Sequence, residues 1–227
     1  MLRRRVRDLA EQALRSKRFH QTVSPMMVPR PTIKKPRFRD IRLILIAAST
    51  GGPMAIQQIL TQIPETVPVP IILIQHMPGT FTTSFAERLD QLCRIRVKEA
   101  AEGDELRPGE ALLAPGGYQL EVIEMGPRKF VAIRESVVGE YFHPSADVTF
   151  SSVANNLNIK VLVVVLTGMG SDGKLGVEQL KAKGAQVWAQ SEQSCVVYGM
   201  PRAIIEGNLA DEVYDLDQMA DELKHLF

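Results

Sequence analysis

Three short segments of this sequence carry residue types able to do acyl-transfer chemistry. Ser49 opens Ser49-Thr50-Gly51-Gly52, His76 opens His76-Met77-Pro78, and Asp172 lies within Thr167-Gly168-Met169-Gly170-Ser171-Asp172-Gly173. A serine hydroxyl is a poor nucleophile at neutral pH unless a base takes its proton during attack. Imidazole, with an ordinary pKa of about 6.5, can accept that proton and return it to a leaving group. A carboxylate beside it fixes the tautomer and stabilises the imidazolium. The glycines after Ser49 allow a tight turn that leaves backbone amides free, and with the start of a following helix these could hold an oxyanion. Each residue also has a plainer reading. Ser-Thr-Gly-Gly is a common strand-to-helix turn, His76 could be a packed or capping histidine, and Asp172 could cap the helical pattern that begins at Gly173. The combination is stronger than any member.

The elements around them explain why they could meet. Arg42–Ala48, Pro70–Gln75, Lys160–Leu166 and Gln186–Ala189 read as short, nearly all-apolar strands. Strands apolar on both faces belong inside a parallel sheet covered by helices. Helical patterns follow the first three. Pro53–Ile63 starts with a proline, Phe81, Phe85, Leu89 and Leu92 stripe the second, and Leu175 and Leu180 precede a stop at Gly184. Ala111–Ala114, Gln119–Glu124 and Lys129–Arg134 read as shorter strands, the last two joined by Met125-Gly126-Pro127 as an antiparallel hairpin. The expected fold is α/β: a doubly wound, mostly parallel sheet with helices on both faces and an antiparallel hairpin at one edge. Ligands of such sheets bind at the carboxyl ends of the strands, where Ser49, His76 and Asp172 all fall.

Two competing motif readings need weighing. Gly168, Gly170 and Gly173 match G-x-G-x-x-G after an apolar strand, and Glu192 follows at the distance of a ribose-binding acid, so a dinucleotide-binding module is the alternative. Asp172, however, puts a negative charge where the pyrophosphate would dock, and the motif comes late in the chain. An ordinary α/β-hydrolase is also disfavoured. Ala47-Ala48-Ser49-Thr50-Gly51 lacks the first glycine of G-x-S-x-G, and the order here is Ser, His, Asp.

Composition sets the outer bounds. The chain has 227 residues, 45% of them hydrophobic and 23% charged, which excludes disorder throughout. Its longest apolar runs are about six residues, against roughly 20 for a membrane span. The amino terminus has no secretory-type apolar core, and Cys93 and Cys195 are too few for a disulfide framework, so a cytoplasmic protein with reduced thiols is expected. The net charge of +1 is uneven: residues 1–40 hold twelve of the 27 Lys and Arg but three of the 26 acids, a local +9 that leaves −8 for the rest. Residues 2–16 have the spacing of a short basic amphipathic helix, and Pro25, Pro29, Pro31 and Pro36 favour an extended linker after it. A solvated linker is preferred to a nucleic-acid arm, for which no aromatic interleaving or zinc spacing speaks. Residues 1–40 are thus expected to be an arm and 41–227 the catalytic domain.

Six segments, in order along residues 41–227, resemble the catalytic domain of the bacterial chemotaxis protein-glutamate methylesterases, the CheB family. They are Ala48–Gly52, Gln75–Pro78, Leu113–Gly117, Pro144–Asp147, Leu166–Gly173, and Ala189-Gln190 with Ser194–Pro201. The resemblance implies an esterase that hydrolyses glutamyl methyl esters on methylated chemoreceptor cytoplasmic helices and deamidates certain glutamines. It assigns Ser49 as nucleophile, His76 as general base, Asp172 as orienting carboxylate, and the backbone amides of Thr50 and Met169 as oxyanion donors. It implies no cofactor, metal, nucleic acid or membrane insertion. Two departures bear on the cleft and on substrate preference more than on the chemistry: Gln119 and Phe142-His143 stand where the family commonly has His and His-Arg. The family usually carries a receiver domain ahead of the esterase. Forty residues cannot hold one, so an excised or free-standing catalytic domain is expected, with any receiver supplied elsewhere.

Overall fold

The computed structural model describes residues 40–226, and the helix and linker expected within residues 1–36 lie outside them. Seven parallel strands form the main sheet: β1 (Ile41–Ala48), β2 (Ile71–Gln75), β3 (Arg96–Glu99), β4 (Glu110–Leu113), β7 (Lys160–Val165), β8 (Gln186–Gln190) and β9 (Glu212–Tyr214), in the order β3-β4-β2-β1-β7-β8-β9. The chain leaves β1 for β2 on one side and returns to β7 on the other, so the reversal of strand order falls at β1. This is the switch point where such sheets open a crevice.

The all-apolar strands are explained by what covers them. In β1, Leu43, Leu45 and Ala47 face one core and Ile44, Ile46 and Ala48 the other, all fully buried. Side chains alternate across a sheet, so a strand covered on both faces has no position left for a polar residue. Helices α1 (Gly52–Leu60), α2 (Gly79–Leu92) and α6 (Leu216–Lys224) supply one core; α3 (Ala146–Asn156), α4 (Lys174–Ala182) and α5 (Met200–Glu206) supply the other. Each fully buried Leu, Ile or Val contributes about 1.5–3 kcal/mol. Trp188 is the largest fully buried side chain and meets Tyr214 edge-on at 5.3 Å.

Sequence expectations hold in type and differ in detail. The hairpin forms as β5 (Gln119–Met125) and β6 (Arg128–Arg134), but as a two-stranded sheet of its own, while β3 and β9 are the edges of the main sheet. Its Val122 and Val131 are buried in the same core as α3, which is why it packs over that layer and adds no edge strand. Phe81 and Leu92 do not belong to the buried stripe of α2, which is Thr82, Phe85, Ala86 and Leu89. Leu175 is likewise exposed, and Val177 and Leu180 carry the core face of α4. Gly184 ends that helix at φ +80° as expected.

Candidate active site

The sheet brings the ends of three neighbouring strands together. Ser49 follows β1, His76 follows β2, and Asp172 lies in the loop after β7, with β2 and β7 flanking β1. The ladder continues past the strands themselves. The His76 amide donates to Ala48 O at 3.0 Å, and the Ser49 amide to Thr167 O at 3.0 Å. Adjacent strands lie about 4.8 Å apart, so this register alone sets Ser49 beside His76. Both line a cleft of about 650 Å³ whose far wall is the α2 face of Phe81, Phe85 and Arg88.

His76 and Asp172 meet directly. Nε2 of His76 stands 2.7 Å from Oδ2 of Asp172, with the two side chains 10% and 3% exposed. The carboxylate is held by three further donors: Ser145 Oγ at 2.7 Å, the Ala146 amide at 2.6 Å and the Asp147 amide at 3.1 Å. Burial alone would raise the pKa of Asp172, but the hydrogen bonds from His76, Ser145, Ala146 and Asp147 outweigh it and hold the carboxyl below its ordinary range. An ionised Asp172 keeps a proton on Nε2 of His76 and leaves Nδ1 as the basic nitrogen. Nδ1 is buried and makes no hydrogen bond within the protein.

The plainer reading of Asp172 as a cap on its own helix is replaced by an exchange between helices. Gly173 is the N-cap of α4, and the Asp172 carboxylate sits instead on the first amides of α3. In return, Asp147 of α3 accepts the Gly176 amide of α4 at 2.8 Å. That carboxylate occupies amides a pyrophosphate would need, which removes the physical basis for reading Gly168, Gly170 and Gly173 as a nucleotide cradle. Gly168 serves a different purpose: a methyl group there would stand 2.8 Å from Ser49 Cβ and 3.0 Å from Ser49 N. Only glycine lets the β7 loop approach the β1 end so closely.

The turn after Ser49 is built for free donors. Gly51 takes φ +82° at the N-cap of α1 and Pro53 follows in its first turn. The amides of Thr50 and Met169 donate to no acceptor among the described residues. Thr167 Oγ1 donates to Thr50 O at 2.9 Å and receives the amides of Val196 and Val197, which ties this turn to the segment after β8.

Several supporting residues lie within the same sequence motifs, and their roles appear only in the fold. Gln75 is 1% exposed, and its Nε2 donates to both Ser49 O and His76 O at 3.0 Å, so one carboxamide bridges the two chain segments. Ser145 and Thr167 act similarly on Asp172 and Thr50. The polar residue closing an all-apolar strand was the available signal for Gln75. Gln119 is fully buried and does not line the cleft; it donates to Phe142 O at 2.7 Å and accepts the Ser145 amide at 2.9 Å. Phe142 does reach the site, stacked on His76.

Cys93 and Cys195 are half-buried. Burial pushes both thiols up to about 11, aided by Asp90 at Cys93 and by Glu192 at Cys195 against a hydrogen bond from Thr167, so neither is a thiolate at neutral pH. Among the described residues no group of three or more His, Cys, Asp or Glu is arranged to hold a metal ion. No described helix is long and apolar enough to cross a membrane.

A family model described as CheB methylesterase matches residues 44–223. The chain belongs to the CheB methylesterase family. It is 55% identical over 188 residues to a protein of Pseudomonas aeruginosa named protein-glutamate methylesterase/protein-glutamine glutaminase 1, covering 83% of this chain and 50% of that one. A Pseudomonas putida protein named protein-glutamate methylesterase/protein-glutamine glutaminase is 54% identical over 191 residues, covering 84% and 50%. The chain thus spans about half the length of these relatives. The crystal structure of the Thermotoga maritima CheB methylesterase catalytic domain is similar with a TM-score of 0.79 and 36% identity, covering 82% of this chain and 99% of that one.

Proposed function

We propose that residues 41–227 are a serine esterase that hydrolyses glutamyl methyl esters on the cytoplasmic helices of chemoreceptors to glutamate and methanol. The observation that carries this reading is the buried 2.7 Å contact of His76 with Asp172 beside Ser49, at the ends of three adjacent strands. Ser49 Oγ attacks the ester carbonyl as His76 Nδ1 takes its proton, and Asp172 stabilises the imidazolium through Nε2. The oxyanion is held by the amides of Thr50 and Met169 near the positive end of α1. His76 then protonates the departing methoxide, and water, activated by the same imidazole, hydrolyses the acyl-enzyme. With a glutamine carboxamide in place of the ester, His76 protonates the departing nitrogen, which leaves as ammonia, and the same machinery deamidates glutamine, in agreement with the names of the relatives. This reading places the protein in the cytoplasm. It makes residues 1–40 a basic linker without a nucleic-acid role, with any receiver domain supplied elsewhere.

The test is methanol release from methylated receptor by Ser49→Ala. Loss of a triad member removes on the order of 10⁴ of turnover while the protein stays folded. Near-wild-type release by a folded Ser49→Ala protein would overturn the assignment.

A further inference from the structure

A base held by one hydrogen bond is not fully aligned. The contact of Nε2 with Asp172 fixes one point of the His76 ring and leaves the ring free to tilt about it. The structure supplies a second constraint. The Phe142 ring lies parallel to the imidazole, with centroids 4.4 Å apart and planes 6° from each other. Phe142 is 40% exposed, so it is not a core residue whose ring happens to touch a histidine.

Its position is held by the chain around it. Gln119 clamps Phe142 O and the Ser145 amide, and Ser145 Oγ in turn donates to Asp172. Upstream, Arg134 forms a two-point pair with Glu140, Nη1 to Oε2 at 2.9 Å and Nη2 to Oε1 at 2.6 Å, and Glu140 Oε2 accepts the Val137 amide. The segment from 140 to 147 therefore forms a strap anchored before Phe142 and after it. The strap stacks on the base and hydrogen-bonds the carboxylate that orients the base. The far edge of the Phe142 ring comes within 4.0 Å of where a side chain at Gly170 would start.

Resting on the esterase reading above, we propose that Phe142 is a positioning residue for the reaction, fixing the plane of the His76 ring and with it the direction in which Nδ1 points. A face-stacked ring constrains tilt, and its π face favours the imidazolium formed during attack. Gln119 and Phe142, where the chain departs from the commoner family residues, act together in this: one holds the backbone of the other.

The experiment compares Phe142→Ala, Phe142→Leu and Phe142→Tyr by steady-state methanol release from methylated receptor and by NMR of the His76 ring protons. Phe142→Ala and Phe142→Leu are expected to lower kcat by about tenfold, the upper range for a stacked aromatic pair, with KM within about twofold. Phe142→Tyr restores kcat. In the wild type and in Phe142→Tyr the His76 protons show an upfield ring-current shift that is lost in the other two. Leucine fills similar apolar space without a π face, so wild-type kcat in Phe142→Leu, or His76 protons that keep the upfield wild-type shift there, would overturn the proposal. A rise in KM alone would also overturn it, making Phe142 a wall for substrate. The NMR shift is read without turnover, in a Ser49→Ala background as well, so failure of the stack and failure of the esterase reading give different results.

Discussion

At the residue scale, the His76–Asp172 pair is a charge-assisted contact whose carboxylate has four protein donors and almost no water. Asparagine at 172 keeps the shape but offers an amide in place of one oxygen, and it no longer fixes the proton on Nε2. Asp172→Asn should therefore lose on the order of 10⁴ in kcat, as such substitutions do when the wrong tautomer is held. The check is methanol release from methylated receptor together with a circular dichroism spectrum. A folded variant with an unchanged rate would make Asp172 a helix cap for α3 and nothing more. Ser49 and His76 were legible in the sequence because each directly follows an apolar strand. Asp172 was legible as the acid in the loop after the third of these strands, but its partners on α3 were not, since the sequence does not say which helix a carboxylate will cap.

At the scale of elements, the close approach of the β7 loop to the β1 turn constrains where Ser49 sits. Gly168→Ala places a methyl group 2.5 Å from Met200 Sδ, a side chain that can shift, but also 2.8 Å from Ser49 Cβ and 3.0 Å from Ser49 N, which cannot swing aside. Misplacing a reacting group by about 1 Å costs on the order of 10² in rate, so kcat should fall by at least that factor. Gly103→Ala is the matched control. It has φ +77° with nothing within 4 Å, so it should lose about 1–2 kcal/mol of stability in urea unfolding and leave kcat unchanged. If both variants show the same kcat, the approach at Gly168 has no part in placing Ser49. The elements themselves were readable from periodicity. What the periodicity missed was the exposed ends of the α2 and α4 stripes, because a helix seated on a twisted sheet buries only its middle turns.

At the scale of the whole molecule, stability is linked to pH through the same carboxylate. The folded pKa of Asp172 lies below its unfolded value, which is about 3.9. Above that value both states are ionised and its stabilisation is complete. As the pH falls from about 4 the unfolded chain takes the proton first, and the contribution drains away until the folded carboxyl protonates too. Asp147 works in the opposite sense, since burial, with the nearby Asp172 charge, raises its carboxyl and ionising it costs the folded state. Thermal unfolding midpoints measured from pH 7 to pH 2.5 should fall below pH 4 more steeply for the wild type than for Asp172→Asn. Parallel curves would show that Asp172 carries no acid-sensitive share of stability.

The sequence by itself determined the α/β class, the apolar strands, the glycine turns and the three strand ends where Ser49, His76 and Asp172 fall, because periodicity and turn chemistry are local properties. The tertiary structure decided what those residues do to one another. His76 and Asp172 are 96 positions apart, and which imidazole nitrogen faces the carboxylate depends on strand order and loop path. The exchange of Asp147 and Asp172 between α3 and α4, the support of Phe142 by Gln119, and the separate sheet of β5 and β6 belong to the same class. Each is a contact between segments whose neighbours in space are not their neighbours in the chain, and no local pattern encodes such a pairing.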